Sequence, residues 1–382
     1  MTSRLCLPIV GQASAVRFLE SWLANGTLPP LLFVGPPGVG KRTAALLLAQ
    51  AANCSAEDGN PKSQAPNPKQ TPNPKSAIGN RQSAMPCGVC RSCRAIARLN
   101  YPDLKLFLPI RLPKKDSEPD DVAAAMLARY PEFALGQAQP VPDQKLKLPI
   151  DAVRWLRTEM AKPPLQARRR FFVLLHAHQM NNEAANALLK TLEEPQVQST
   201  LILTSASPAA LPATIRSRCQ IVRFSAITRD AMRGWLQENT GSSSADAELA
   251  ASVSEGSIGA ALRFLENRED FLVEPVVQYF AGRHGSNEQA VLTTLEAMRD
   301  APPAAVVGTL LFLYREALRV KLGGDSPYAR RSPGIVERSA GQDASYLRRA
   351  VKFLLSRSRE AGLNVNARLF NYSLLTTLRP PS

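Results

Sequence analysis

The stretch Leu31–Val34 followed by Gly35-Pro-Pro-Gly-Val-Gly40-Lys41 constrains this chain more than any other. A short apolar run that ends in glycines reads as a buried parallel strand. The G-x-x-x-x-G-K spacing behind it, followed by the helical pattern of residues 41–53, is a phosphate-binding loop in the context such a loop requires. Backbone N–H groups of the turn converge on an anion, and the positive end of the next helix favours the charge. Gly35, Gly38 and Gly40 shape the turn, and Lys41 is the group that reaches terminal phosphates. Strand, loop and helix in that order imply an α/β fold with a parallel sheet.

The chemistry beside the loop is incomplete. The residue after Lys41 should carry a hydroxyl for Mg²⁺, and here it is Arg42, a cation without an oxygen donor. Thr43 lies one step round the helix, roughly 100° away, and cannot substitute. A P-loop ATPase also needs an Asp at the end of its third strand and a neighbouring Glu to orient water. The run Phe171–Leu175 ends instead in His176-Ala177-His178-Gln179. Imidazole is a poor ligand for a hard cation that prefers oxygen, so both histidines read as ordinary residues at a strand exit. The pattern argues against hydrolysis more than against nucleotide binding.

Further apolar runs at Leu104–Leu108, Phe171–Leu175, Leu201–Thr204 and Gln220–Phe224 read as strands. Helical patterns at 12–25, 150–161 and 182–193 separate or precede them. This alternation predicts a parallel sheet covered on both faces. Beyond residue 226 the strand signals stop. Segments 229–238, 246–254 and 257–267 are helical, as is most of 270–382. We expect an α/β domain over 1–225, a small helical domain over 226–268 and a helical C-terminal domain over 269–382. Residues 55–86 carry Asn-Pro-Lys three times, at 60–62, 67–69 and 73–75, among Gln, Ser and Ala. With almost nothing to bury, this insert should be disordered.

Four of the six cysteines have metal-site spacing. Cys87-x-x-Cys90-x-x-Cys93 supplies three thiolates, and Cys54 is the natural fourth. Four thiolates form a closed tetrahedral site of the structural zinc type. An iron–sulfur run would need another Cys three residues later, and Ala97 follows instead. Closing the long loop between Cys54 and Cys87 costs little, because the entropy grows only logarithmically. Cys6 and Cys219 read as small apolar residues. No apolar run reaches the 18 residues of a membrane span, and the first residues lack a signal-peptide core; a cytoplasmic protein is expected. The 47 Lys and Arg against 32 Asp and Glu give a net charge of +15. Such a balance fits a nucleic-acid partner or a solvated basic surface, and charge alone does not choose.

Taken together, several segments resemble the AAA+ clamp-loader family of bacterial DNA polymerase III. They are Val10-Gly11-Gln12, the Cys motif followed by Asn-Tyr101-Pro-Asp103-Leu, Asn186-Ala-Leu-Leu-Lys190-Thr-Leu-Glu193-Glu194-Pro195, and Leu211-Pro-Ala-Thr-Ile-Arg-Ser217-Arg218-Cys219. Asn364-Val-Asn-Ala-Arg-Leu369 resembles the family's C-terminal segment. The likeness is dense over 8–53 and 87–265 and thin beyond. It implies an α/β P-loop AAA+ domain with an inserted zinc module at 54–93, a helical lid and an all-α collar. It implies a hetero-pentamer with γ/τ and δ subunits that opens a sliding clamp on primed DNA. Arg218 would be an arginine finger acting in trans on a neighbour's ATP. Ser205 would be a polar sensor beside the γ-phosphate. Hydrolysing members carry an Arg where this chain has Gly259, so a non-hydrolysing subunit with structural zinc, and no productively bound ATP and Mg²⁺, is the expectation. An ATP-hydrolysing γ/τ-type subunit and a standalone zinc-bearing nucleic-acid binder are the alternatives.

Overall fold

The computed structural model describes residues 9–24, 29–55, 86–111, 119–135, 146–194, 198–267, 272–281, 288–331, 333–361 and 365–378. The expected disorder of the Asn-Pro-Lys insert therefore lies outside the described residues except at its ends, as do Cys6, Pro195 and Asn364.

The apolar runs become five parallel strands: β1 Leu31–Val34, β2 Leu104–Phe107, β3 Arg170–Leu174, β4 Ser199–Ser205 and β5 Gln220–Arg223. They form one sheet in the order β2-β3-β4-β1-β5. Val34 pairs with Ser205 of β4 and with Arg223 of β5, so the C-terminal end of β1 lies between those two strand ends.

Both faces of the sheet are buried, which is why its strands read as unbroken apolar runs. Side chains alternate across a strand. Leu31, Phe33, Leu104, Leu106, Phe171, Val173 and Ile202 pack with α1 Ala13–Ala24, α2 Lys41–Asn53 and α3 Arg91–Ala97. Leu32, Phe107, Phe172, Leu174, Leu201 and Leu203 pack on the other face with α4 Pro119–Ala128, α5 Ile150–Ala161, α6 Asn182–Glu193 and α7 Ala213–Ser217. In α1 the buried stripe is Ala15, Leu19 and Trp22, while Phe18 is only half-buried. α6 starts where Asn181 accepts a hydrogen bond from the Ala184 N–H at 2.9 Å. An Asn cap satisfies one of the free donors of a helix N-terminus.

The chain divides into two compact units. One comprises Met1–Ala231 with Gly256–Gly259 and contains the sheet; the other comprises Met232–Glu255 with Ala260–Ser382. The remaining helices are α8 Arg229–Thr240, α9 Ser244–Val253, α10 Ile258–Glu266, α11 Glu274–Phe280, α12 Glu288–Ala297, α13 Pro303–Lys321, α14 Pro333–Gly341, α15 Ala344–Glu360 and α16 Ala367–Thr377. The second unit is helical throughout its described residues. Phe280, Leu310, Leu313, Tyr314, Leu347, Leu354 and Leu374 lie in its core.

Candidate functional site

The loop between β1 and α2 is built as its spacing requires. Gly38 and Gly40 have φ of 72° and 96°, in the left-handed region that favours glycine. Gly35 is fixed by space: a Cβ there would lie 2.1 Å from the Phe224 carbonyl oxygen. Gly38 is equally closed, since a Cβ would meet Ser257 Oγ at 2.0 Å. The Gly259 N–H donates to the Gly38 carbonyl at 3.3 Å. The position where hydrolysing relatives are expected to carry an arginine is thus a backbone contact to the loop itself.

Lys41 turns back on the loop. Its ammonium donates to the Gly35 carbonyl at 2.6 Å and to the Pro36 carbonyl. Burial lowers its pKa to about 8. Arg42 is 5% exposed, and burial lowers it to about 10.

The exit of β3 lies within electrostatic reach of Lys41. His176 has a left-handed φ of 52°, uncommon for a residue with a side chain. Its N–H donates to Thr204 Oγ1 at 3.1 Å. Burial first, then repulsion from His178, Lys41 and Arg129, lowers its imidazole to about 4. His178 is lowered by burial and then by Lys41. Burial thus disfavours the protonated form of both rings, and their centroids lie 5.9 Å apart. His178 Nδ1 sits 3.3 Å from Ser205 Oγ, which also accepts from the Ser207 N–H. Ser205 is 1% exposed. Both histidines thus feel the charge of Lys41 and His178 reaches Ser205, whereas the sequence suggested only a strand exit for the histidines.

Arg218 stands apart from that loop, at the C-terminal cap of α7. Its side chain is about one-third exposed, with Nε 2.8 Å and Nη2 2.6 Å from Glu193 Oε1, and Nη1 donates to the Thr214 carbonyl at 3.1 Å.

The structure brings Cys54, Cys87, Cys90 and Cys93 together, with all four Sγ atoms within 4.8 Å of one another. Cys54 ends α2 and Cys90 caps α3, so two helix termini carry the cluster. The Cys90 N–H points at Cys87 Sγ (3.3 Å) and the Cys93 N–H at Cys90 Sγ (3.4 Å). Gln50 Nε2 holds the Cys93 carbonyl at 2.7 Å. Amide donors aimed at sulfur stabilise thiolates, and four converging soft donors suit a tetrahedral metal ion. The set can hold a metal and is compatible with zinc. Cys219 is buried among apolar side chains.

A family profile described as DNA polymerase III, delta subunit, matches residues 74–228. The delta-prime subunit of Bacillus subtilis is 30% identical over 207 residues, covering 54% of this chain and 45% of the relative. The delta-prime subunit of Haemophilus influenzae is 26% identical over 280 residues, with 72% of this chain and 73% of that relative covered. Over these segments the chain is similar to the delta-prime subunits of DNA polymerase III. The tau subunit of Bacillus subtilis is 24% identical over 338 residues, covering 82% of this chain and 50% of the relative. The chain spans half or less of the length of both Bacillus relatives.

Several motif residues of this chain have roles that their spacing did not reveal. Gln12 is 4% exposed; its Nε2 donates to the Ser225 carbonyl at 2.7 Å and to the Val39 carbonyl at 3.4 Å, and its Oε1 accepts from the Ser225 N–H at 3.0 Å. It ties the phosphate loop to the exit of β5. Asp103, 2% exposed, accepts from the N–H groups of Leu165, Gln166 and Ala167 at 2.8–3.0 Å and lies 3.4 Å from Arg170 Nε. It fixes the loop before β3. Both polar groups bridge segments far apart in sequence, which local spacing does not encode.

Proposed function

We propose that this chain is a delta-prime-type subunit of a DNA polymerase III clamp loader, one that does not hydrolyse ATP and lends Arg218 to a neighbouring ATPase. The observation that carries the reading is the pair His176 and His178. Where a metal-holding carboxylate is needed, two imidazoles kept neutral by burial stand beside Lys41. Arg42 in place of a hydroxyl and Gly259 in place of an arginine point the same way.

In this reading the chain joins γ/τ and δ subunits in a hetero-pentamer that sets the sliding clamp on primed DNA. The α/β AAA+ part covers 1–225, with a zinc module at 54–93. Residues 226–268 act as a lid and 269–382 as an oligomerising collar. Cys54, Cys87, Cys90 and Cys93 hold a structural zinc, and the protein is cytoplasmic. No described helix is long and apolar enough to cross a membrane, which agrees with this placement. Arg218 would stabilise charge on the neighbour's γ-phosphate, an effect of about 10³–10⁵ in rate where such fingers have been measured.

A γ/τ-type ATPase is the second reading, favoured by the long match to the tau subunit. Turnover separates the two. The purified chain should show no Mg²⁺-dependent ATP hydrolysis, and Arg218→Ala should depress hydrolysis by the reconstituted loader without preventing assembly. Magnesium-dependent turnover by the isolated chain, abolished by Lys41→Ala, would establish the second reading instead.

A further inference from the structure

Arg218 is held in an orientation, and the residue that holds it is Glu193. A guanidinium carries five N–H donors. Nε and Nη2, which share one edge of the group, both lie against the same oxygen, Glu193 Oε1, at 2.8 and 2.6 Å. Nη1 gives one N–H to the Thr214 carbonyl at 3.1 Å. Among the described residues, N–H groups on both terminal nitrogens are left over, and these suit a phosphate approached end-on.

Glu193 is the last residue of α6, and Glu194 follows it. A carboxylate at a helix C-terminus faces the negative end of the helix dipole and is disfavoured there. The arginine offsets that cost, so the two groups need each other locally. α6 is anchored on the sheet through buried Leu188 and Leu192, which fixes the position of Glu193. The pair is open to solvent, with side-chain exposures of 36% for Arg218 and 48% for Glu193. Such solvent-open pairs hold only loosely. That is too weak to lock the arginine against a phosphate carrying more charge. It is enough to select one rotamer of a side chain with many.

We propose that Glu193 is a positioning residue: it grips the Nε/Nη2 edge of the Arg218 guanidinium so that the end formed by the two terminal nitrogens faces an anion brought by a neighbouring subunit. The proposal rests on the reading of Arg218 given above. It makes Glu193 a support rather than a restraint, and so fixes the sign of its removal.

The test uses the reconstituted loader with its partner ATPase subunits. Turnover lost on Arg218→Ala defines the Arg218-dependent rate. Glu193→Ala should retain roughly one-third or less of that rate, a misplacement effect within the range seen for orienting groups. It should act on kcat, with KM for ATP and subunit assembly unchanged. Glu193→Gln, which keeps an oxygen acceptor on the same stem, should recover most of the loss. Combining Glu193→Ala with Arg218→Ala should be no worse than Arg218→Ala alone. Three results would overturn the proposal: an unchanged Arg218-dependent rate in Glu193→Ala, a raised rate, or a loss accompanied by failed assembly in both Glu193 variants. If Arg218→Ala itself leaves turnover unchanged, the trans role of Arg218 fails first, and the support role falls with it.

Discussion

At the scale of single residues, His176 combines an uncommon backbone conformation with a perturbed side chain. The folded imidazole titrates near pH 4 and a free one near 6.5. A depressed folded pKa means that the unfolded chain binds the extra proton first. The associated stability is therefore complete above pH 6.5, declines as the pH falls from 6.5 to 4, and is absent below. The shift corresponds to on the order of 3 kcal/mol. Asn tolerates the left-handed region and does not titrate there. His176→Asn should therefore flatten the pH dependence of the urea-unfolding midpoint between pH 6.5 and 4. An unchanged slope in the variant would place the titration elsewhere. The neighbouring His178, Lys41 and Arg129 add repulsion to the protonated ring, so the decline should extend to lower pH at low ionic strength.

Elements were more legible than contacts. β1, α2, α5 and α6 follow directly from apolar runs, a glycine-rich turn and helical spacing, because those signals are local. α4 (Pro119–Ala128) carries Val122 and Met126 into the core, yet its alanine-rich run gives weak periodicity and was not anticipated. The phosphate loop was recognisable down to its glycines. The approach of Gly259 to Gly38 was not, since 221 positions separate them in sequence. The Glu193 grip on Arg218 was also hidden, for the two lie 25 positions apart on different helices. The cysteine module joins the end of α2 to the start of α3, and its prediction belongs at this scale. Elemental analysis of the purified protein should find about one zinc per chain, and Cys54→Ser should lower that value. Chelation should raise hydrogen exchange in α3 before it affects the strands. Full metal content in Cys54→Ser would remove Cys54 from the ligand set.

For the molecule as a whole, a ligand that binds only the folded state raises the melting temperature in proportion to RT ln(1 + [L]/Kd). On the proposed reading, Arg42 and the His176–His178 pair stand where productive Mg²⁺ and ATP binding would need a hydroxyl and a carboxylate. Millimolar MgATP should accordingly leave the melting temperature of the isolated protein unchanged. A rise of several degrees, lost in Lys41→Ala, would show that the pocket still takes nucleotide. The ammonium of Lys41 already rests on two carbonyls of its own turn, and the amide of Gly259 closes on a third. On the proposed reading, such a turn would keep its form without an adenylate guest. Its contour should therefore stay the same whether cellular ATP is plentiful or scarce, giving moving neighbours a fixed point to swing against.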